Sequence, residues 1–140
     1  MADDSDTVFS ALATERYLSL ETYRRNGEGV RTPVWFAADP DAAVAVVYVY
    51  TGANSGKVKR LRRSDRARVA ACDMRGLVTG TWVDVQGVIA GGAEAEHGMR
   101  LLNRKYWPWK QLLDLSARFR PGHQRAVIAI RVRQPAAPGW

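Results

Sequence analysis

The sequence predicts a mainly β (α+β) domain: a closed or half-closed six-stranded antiparallel barrel with flanking helices. The first observation is that six segments show the apolar alternation or the short apolar run of a β-strand. The second is that turns rich in Gly, Pro, Asn and Asp separate several of them by a few residues, which favours antiparallel hairpins. The third is that the helical patterns do not alternate regularly with the strands, as they would in a parallel sheet.

The first half of the chain predicts a short helix, three antiparallel strands and a basic helix. Asn26-Gly27 is a hairpin turn, because both residues tolerate a positive φ. Pro33 interrupts the second strand and indicates an edge position, a bulge, or a backbone site that faces a ligand. The third strand is almost wholly apolar and should be covered on both faces. The predicted ranges are 4–13 for the helix, 17–24, 30–37 and 43–50 for the strands, and 53–63 for the basic helix.

The second half predicts two more strands, a helical pair and a final strand. The strands again alternate with period two, and Gly91-Gly92 and Pro108 mark the ends of the patterns around the helices. The predicted ranges are 66–73 and 82–90 for the strands, 93–106 and 109–119 for the helices, and 124–133 for the last strand. We expect one domain over residues 1–134 and a tail over residues 135–140.

Composition indicates a globular protein with an anionic partner. Apolar residues make up 46% of the chain and the formal net charge is +7, which favours binding to nucleic acid or to a phosphorylated cofactor. No apolar run approaches the roughly 20 residues of a membrane span, and the acidic N-terminus does not resemble a secretory signal. Cys72 is the only cysteine, and no Cys/His cluster has zinc spacing. We therefore expect a cytoplasmic protein without a metal site.

Residues 48–63, YVYTGANSGKVKRLRR, form the most distinctive stretch. A strand ends in a turn of small residues, and a helix with five cations follows at once. Backbone N–H groups at a helix N-terminus and adjacent cations favour a bound anion. Ser55 can donate through its hydroxyl, Lys57 supplies a point charge, and Arg60 supplies a fork suited to phosphate. Positions 57 and 60 are three apart and can face one ligand. The other cations are expected to be solvated: Lys59, Arg62 and Arg63.

Two segments in this order, RTPVW at 31–35 and TGANSGKVKR at 51–60, resemble a known family. They are similar to the split β-barrel flavin and deazaflavin oxidoreductases related to pyridoxamine-phosphate oxidase. Within that family the chain looks most like the probable coenzyme F-420-dependent enzymes. The resemblance covers roughly residues 7–133, and it implies a pyridoxamine-phosphate-oxidase-like split barrel.

The resemblance also implies where a cofactor binds. The flavin or deazaflavin ring would lie along the second strand, and the phosphate would lie at the turn before the basic helix. The cofactor-binding residues expected on this basis are Thr32, Pro33, Val34 and Trp35 on the strand, and Thr51, Ser55, Gly56, Lys57 and Arg60 at the turn and helix. For Trp35, packing in the core or in a dimer interface is as well supported as contact with the ring. The family is dimeric, and Arg75, Thr79 and Trp82 are weaker candidates for closing the cleft from the second subunit.

Four functions stay open from the sequence. The first is an oxidoreductase that transfers a hydride between F-420 and a small conjugated organic substrate. The charge suits it, since that cofactor carries a phosphate and a polyglutamate tail. The second is an FMN-binding oxidoreductase of the same fold, and the third is a non-catalytic carrier of a flavin, heme or similar ligand. A nucleic-acid binder is the fourth, and it rests on charge alone.

Catalytic residues stay unassigned at this stage. No Ser or Cys catalytic motif surrounds His97 or His123, and both are expected at the surface. That absence is expected where a cofactor carries the chemistry and the protein supplies binding, orientation and exclusion of water.

Overall fold

The computed structural model describes residues 4–107 and 124–133. Within these residues three α-helices flank six strands. The elements in chain order are α1 (Asp4–Ala11), a 3-10 turn (Leu12–Thr14), β1 (Tyr17–Tyr23), β2 (Gly29–Ala38), β3 (Val47–Gly52), α2 (Gly56–Arg63), β4 (Arg66–Cys72), β5 (Val83–Ile89), α3 (Gly92–Lys105) and β6 (Arg125–Val132).

The six strands close into one antiparallel barrel in the order β1-β2-β3-β6-β5-β4. This confirms the predicted six-stranded antiparallel barrel. The last of the described strands, β6, lies between β3 and β5, pairing Ile130 with Val47 and Val132 with Val85. The barrel closes where β1 meets β4, at the pair Leu20 and Val69.

Alternation along the strands fills the barrel with apolar side chains, because every second residue points inward. Leu18 and Leu20 of β1 and Ile128 and Ile130 of β6 are fully buried there. The two ends of the barrel are closed by helices. The closing side chains are Phe9 and Leu12 at one end, and Val58 and Leu61 of α2 at the other.

A second apolar cluster joins α3 to the outer face of β2, β3 and β6. Buried Leu102 and Tyr106 lie on the helix side, and Tyr48 and Val127 lie on the sheet side. Gly98 allows this close approach. A Cβ at that position would lie 2.8 Å from the Tyr48 ring and 2.9 Å from a Val127 methyl group.

Gly98→Ala is expected to lower the free energy of unfolding by about 1–3 kcal/mol through overpacking. The cost exceeds the gain of about 1 kcal/mol that alanine brings over glycine inside a helix. Urea denaturation followed by circular dichroism measures it. Gly91→Ala is the control, because a Cβ there has no neighbour within 4 Å; its change should be smaller than about 1 kcal/mol. Equal effects of the two substitutions would contradict the proposed packing.

Two predicted starts are wrong by more than two residues. The third strand begins at Val47, because Asp39 forms a turn in which its side chain accepts from the Asp41 N–H at 3.0 Å and its own N–H donates to Val46 O. The exposed residues before that strand therefore form a loop. The basic helix begins at Gly56, with Ser55 as its N-cap.

Other expectations concern α3 and the remainder of the chain. The helix predicted over 93–106 is confirmed as α3. His97, expected at the surface, is half-buried and bonds Asp39 through Nε2 at 2.7 Å. The predicted helix over 109–119, His123 and the tail over 135–140 lie outside the described residues. Among the helices within 4–107 and 124–133, none is long and apolar enough to span a membrane.

Candidate functional site

The N-terminus of α2 is built by the turn after β3. Ser55 caps it, since its Oγ accepts a hydrogen bond from the Val58 N–H at 3.4 Å. Thr51 lies beneath the cap, buried, with its Oγ1 3.3 Å from Ser55 Oγ. The N–H groups of Gly56 and Lys57 have no acceptor within 4–107 and 124–133, as is usual in a first helical turn. These groups form a positive end suited to an anion.

Three cations lie along one face of α2 at three-residue spacing: Lys57, Arg60 and Arg63. Arg60 Nε donates to Thr22 Oγ1 at 2.6 Å, and Arg63 Nη2 donates to the Tyr23 carbonyl at 2.7 Å. None of the three pairs with a carboxylate in the described part of the chain. Burial and the neighbouring Arg60 lower the pKa of Lys57. Burial, Arg24 and Arg63 likewise lower the pKa of Arg60. A bound anion would relieve this repulsion.

The second strand has an open edge beside this turn. β2 pairs with β1 from Gly29 to Val34, but with β3 only from Trp35 onward. After Tyr50, the residues of β3 continue to pair with β6 but no longer pair with β2. No described strand therefore bonds the β3 side of Thr32–Val34, and a gap opens towards the end of the barrel that α2 covers. The predicted edge position of Pro33 is confirmed.

Side chains on this edge point to different sides of the sheet. Thr32 and Val34 face the barrel interior, and Val34 belongs to its core. Val34 could therefore meet a ligand in the gap only through its backbone, which narrows the role predicted for it. Thr32 Oγ1 is buried and has no hydrogen-bond partner within the described residues. A buried unsatisfied hydroxyl is rare enough to call for an explanation.

The Trp35 side chain points away from the barrel interior but packs against other side chains of the protein. Its ring stacks on Tyr106 at 4.9 Å and on Tyr50 at 6.3 Å. Tyr106 is itself anchored, because its hydroxyl bonds the backbone of Phe36 and the Arg16 carbonyl. This packing agrees with one of the two roles expected for Trp35, and its contact with a cofactor ring stays a prediction.

The loop between β4 and β5 lies over the outer face of β1 and β2. Gly76, at φ +90°, packs against the Pro33 ring. Trp82 stacks on the guanidinium groups of Arg31 and Arg68, at 4.7 and 4.8 Å. Sequence reasoning ranked Trp82 as a weak candidate for the cleft of a second subunit. In this chain it packs against its own β-sheet.

A buried carboxylate under Trp82 was missed by sequence reasoning. Glu21, 4% exposed, accepts hydrogen bonds from Arg31, Arg68 and Tyr23 at 2.7–2.8 Å. Burial raises the pKa of Glu21, but these hydrogen bonds outweigh burial and lower it overall. The strand pattern offers no signal for this cluster, since Glu21 occupies an outward position where a charged residue is unremarkable.

The Thr22–Arg60 contact was also missed by sequence reasoning, because its partners lie 38 residues apart.

No group of three or more His, Cys, Asp or Glu side chains within 4–107 and 124–133 could hold a metal ion. The structure thus brings Thr51, Ser55, Gly56, Lys57 and Arg60 together at one end of the barrel. Thr32 and Pro33 lie on the open edge of β2, and the ligand role of all these residues stays a prediction.

The split in the barrel and the helix that covers its end define the fold class: a pyridoxamine 5'-phosphate oxidase-like split β-barrel. A protein from Listeria innocua provisionally named pyridoxamine 5'-phosphate oxidase matches it with a TM-score of 0.59 and 13% identity, over 94% of this chain and 95% of that one. A protein from Bacteroides thetaiotaomicron provisionally described as a 5-nitroimidazole antibiotic resistance protein matches with a TM-score of 0.63 and 12% identity, over 95% and 82%.

A heme binding protein from Mycobacterium smegmatis has a TM-score of 0.60 and 11% identity, over 95% of this chain. The chain spans about half of that protein, 52%. No protein-family model and no curated protein matches the sequence. At these identities the likeness establishes the fold, and the function has to be argued from the site.

Proposed function

We propose that this protein is an oxidoreductase that binds coenzyme F-420 and transfers a hydride to or from a small conjugated organic substrate. The observation that carries the proposal is the pairing of two features at one end of the barrel. Lys57 and Arg60 lie together without a described carboxylate partner, and the β2 edge beside their turn is open. A cationic helix N-terminus suits a phosphate, and an open strand edge beside it suits an attached planar ring system.

The residues present fit such a cofactor. Ser55, Lys57 and Arg60 would hold the phosphate, with the first-turn N–H groups of α2 beside them. The backbone edge at 32–35 would take the ring, and the unpartnered Thr32 hydroxyl would gain a hydrogen bond from a polar ring edge or an ordered water. The bound cofactor supplies the hydride chemistry, while the protein binds it, orients it and excludes water.

FMN is the alternative cofactor, since it also joins a ring to a phosphate. A non-catalytic flavin or heme carrier is the alternative function. It is favoured by the heme binding protein among the structural neighbours. We assign neither a nucleic-acid partner nor a membrane partner.

We further propose a cytoplasmic homodimer in which the second subunit completes the cleft. A single cysteine, buried and free, suits a reducing compartment. Met74 and Leu77 are about 70% exposed on the loop that packs on Pro33. Large apolar side chains at such a position suit an interface beside the site.

Anaerobic titration of the purified protein with F-420 and FMN side by side tests the proposal. We expect saturable binding of F-420 at one site per chain, seen as a change in its fluorescence, and binding of FMN alone would replace F-420 by the alternative cofactor. Riboflavin, which lacks the phosphate, should bind with a Kd at least about tenfold higher than that of FMN. This difference corresponds to the loss of one charge-assisted hydrogen bond. Binding of neither F-420 nor FMN would refute the proposal, and saturable binding of heme alone would favour the carrier function.

A further inference from the structure

The side chain of Arg60 is held in place by a hydrogen bond to β1 and by close packing against Gly56 of α2, which has no side chain. Its Nε donates to Thr22 Oγ1 at 2.6 Å, and Thr22 is only 1% exposed. Its Nη1 lies against Gly56, where a Cβ would come within 2.7 Å. Neither Nη1 nor Nη2 has an acceptor in the part of the chain that the structure describes. The side chain is therefore anchored through Nε while both terminal nitrogens stay available.

Thr22 is unusual on its own strand. The other inward residues of β1 are Leu18 and Leu20, which belong to the core. A third apolar residue would complete that face, and valine has nearly the same shape as threonine. The hydroxyl instead accepts a hydrogen bond from a guanidinium that has no described counter-charge. Its evident consequence is to orient Arg60.

We propose that Thr22 is a positioning residue for the candidate phosphate site. Together with Gly56 it would hold the terminal nitrogens of Arg60 ready for a phosphate group, so that the protein selects phosphate-bearing flavins or deazaflavins over phosphate-free ones. This inference rests on the proposed function and adds the residues that set its specificity.

The physical reason lies in the length of the arginine side chain. A mobile arginine loses rotamer freedom when it binds an anion, and that loss reduces affinity. An anchored guanidinium has already lost this freedom and presents its fork in one orientation. Removing the Thr22 hydroxyl would leave the charge of Arg60 in place and abolish only its orientation. The effect should therefore fall on ligands that carry a phosphate.

The test compares Thr22→Val with Thr22→Ser and with Thr14→Val. The first removes the hydroxyl, the second restores it, and the third removes a hydroxyl hydrogen bond at the opposite end of the barrel. Two ligand pairs are titrated, FMN with riboflavin and F-420 with its phosphate-free deazariboflavin core. For the cofactor that binds, Thr22→Val should raise the Kd of the phosphate-bearing form about tenfold. The phosphate-free form should change by less than about twofold, and Thr22→Ser and Thr14→Val should behave like the wild type.

A second variant separates positioning from stability. Gly56→Ala places a methyl group against Arg60 Nη1, so it should raise the same Kd about fivefold to tenfold. Alanine favours a helix over glycine, so the thermal midpoint should stay level or rise. In an Arg60→Met background, Thr22→Val and Gly56→Ala should have no further effect on the Kd, because all three act through one side chain.

The outcomes distinguish the inference from the proposed function. If neither FMN nor F-420 binds the wild type, both fail. If one binds and Thr22→Val leaves the ratio between phosphate-bearing and phosphate-free ligands unchanged, the inference fails and the proposed function stands. Equal weakening of both ligands, or an undiminished effect in the Arg60→Met background, would also overturn the inference.

Discussion

Replacing both Arg31 and Arg68 by methionine is expected to lower the free energy of unfolding by about 3–5 kcal/mol. Glu21 would then keep its buried position, with a side chain only 6% exposed, but would lose both guanidinium partners. An uncompensated buried charge costs far more than a pair of exposed arginines contributes. Denaturant unfolding at pH 7, with the wild type alongside, measures the difference.

The matched controls for this prediction use the same substitution elsewhere. Arg24→Met removes an exposed partner of Glu28 at 3.7 Å and should cost less than about 1 kcal/mol. The triple variant that also carries Glu21→Met should recover most of the lost stability, because it replaces the whole ion network by apolar groups. A double variant as stable as Arg24→Met would show that Glu21 is not dependent on its two partners.

The pH dependence of the same variants gives a second readout. Hydrogen bonds hold the pKa of Glu21 below 4.5 in the wild type, so their stabilisation is present above that pH and is lost on acidification. In the double variant only the Tyr23 hydroxyl still donates to Glu21, so burial outweighs the remaining hydrogen bond and raises the pKa, and the folded state favours the protonated carboxylic acid. Its stability should therefore fall as the pH rises through the new pKa. The gap between the two proteins should be wider at pH 7 than at pH 4.

Lys57→Ala is expected to weaken binding of the phosphate-bearing cofactor by about 1.5–3 kcal/mol, the range of a hydrogen bond to a charged group. The residue is half-buried on the face of α2 that also carries Arg60, and it has no carboxylate partner among the described residues. Titration with FMN and F-420 measures the loss. Lys59→Ala is the control, since it removes the same charge from an exposed position on the same helix.

The two lysine variants make the assignment of the phosphate site falsifiable. Long-range attraction alone would be reduced equally in both, and that reduction should be small at physiological salt. A loss confined to Lys57→Ala supports direct contact. Equal or absent losses would place the phosphate elsewhere, while the fold of both variants stays intact.

Much of the fold could be predicted because its signals are local. Alternation with period two put Leu18 and Leu20 on one face of their strand and Ile128 and Ile130 on one face of theirs, and the structure buries both faces in the barrel. Gly27 adopts φ +87°, as the hairpin turn required. The predicted starts at 43 and 53 were too early, because an apolar or helix-compatible composition extends into the turn before each element, where local hydrogen bonds delay its first residue. Asp39 and Ser55 provide those bonds.

The candidate site could be predicted only in part. Ser55, Lys57 and Arg60 lie close in the sequence, and helical geometry alone brings the last two to one face. The roles of Val34 and Trp35 were harder to predict, because the strand pattern does not show which face of the strand is covered or which helix covers it. Thr22 could not be found, because its meaning depends on a contact between β1 and α2 across 38 residues.

The sequence by itself determined six strands, the residues that share a face of each alternating strand, and a basic helix that follows a small-residue turn. These follow from side-chain period and from the backbone preferences of Gly, Pro, Ser and Asn. The tertiary structure alone decided that β6 enters between β3 and β5, that β2 pairs with β3 only from Trp35 onward, and that Glu21 and Arg60 find their partners. Such pairings are decided by the packing of distant segments around one core. This packing produces no local or periodic pattern in the sequence from which the pairings could be predicted.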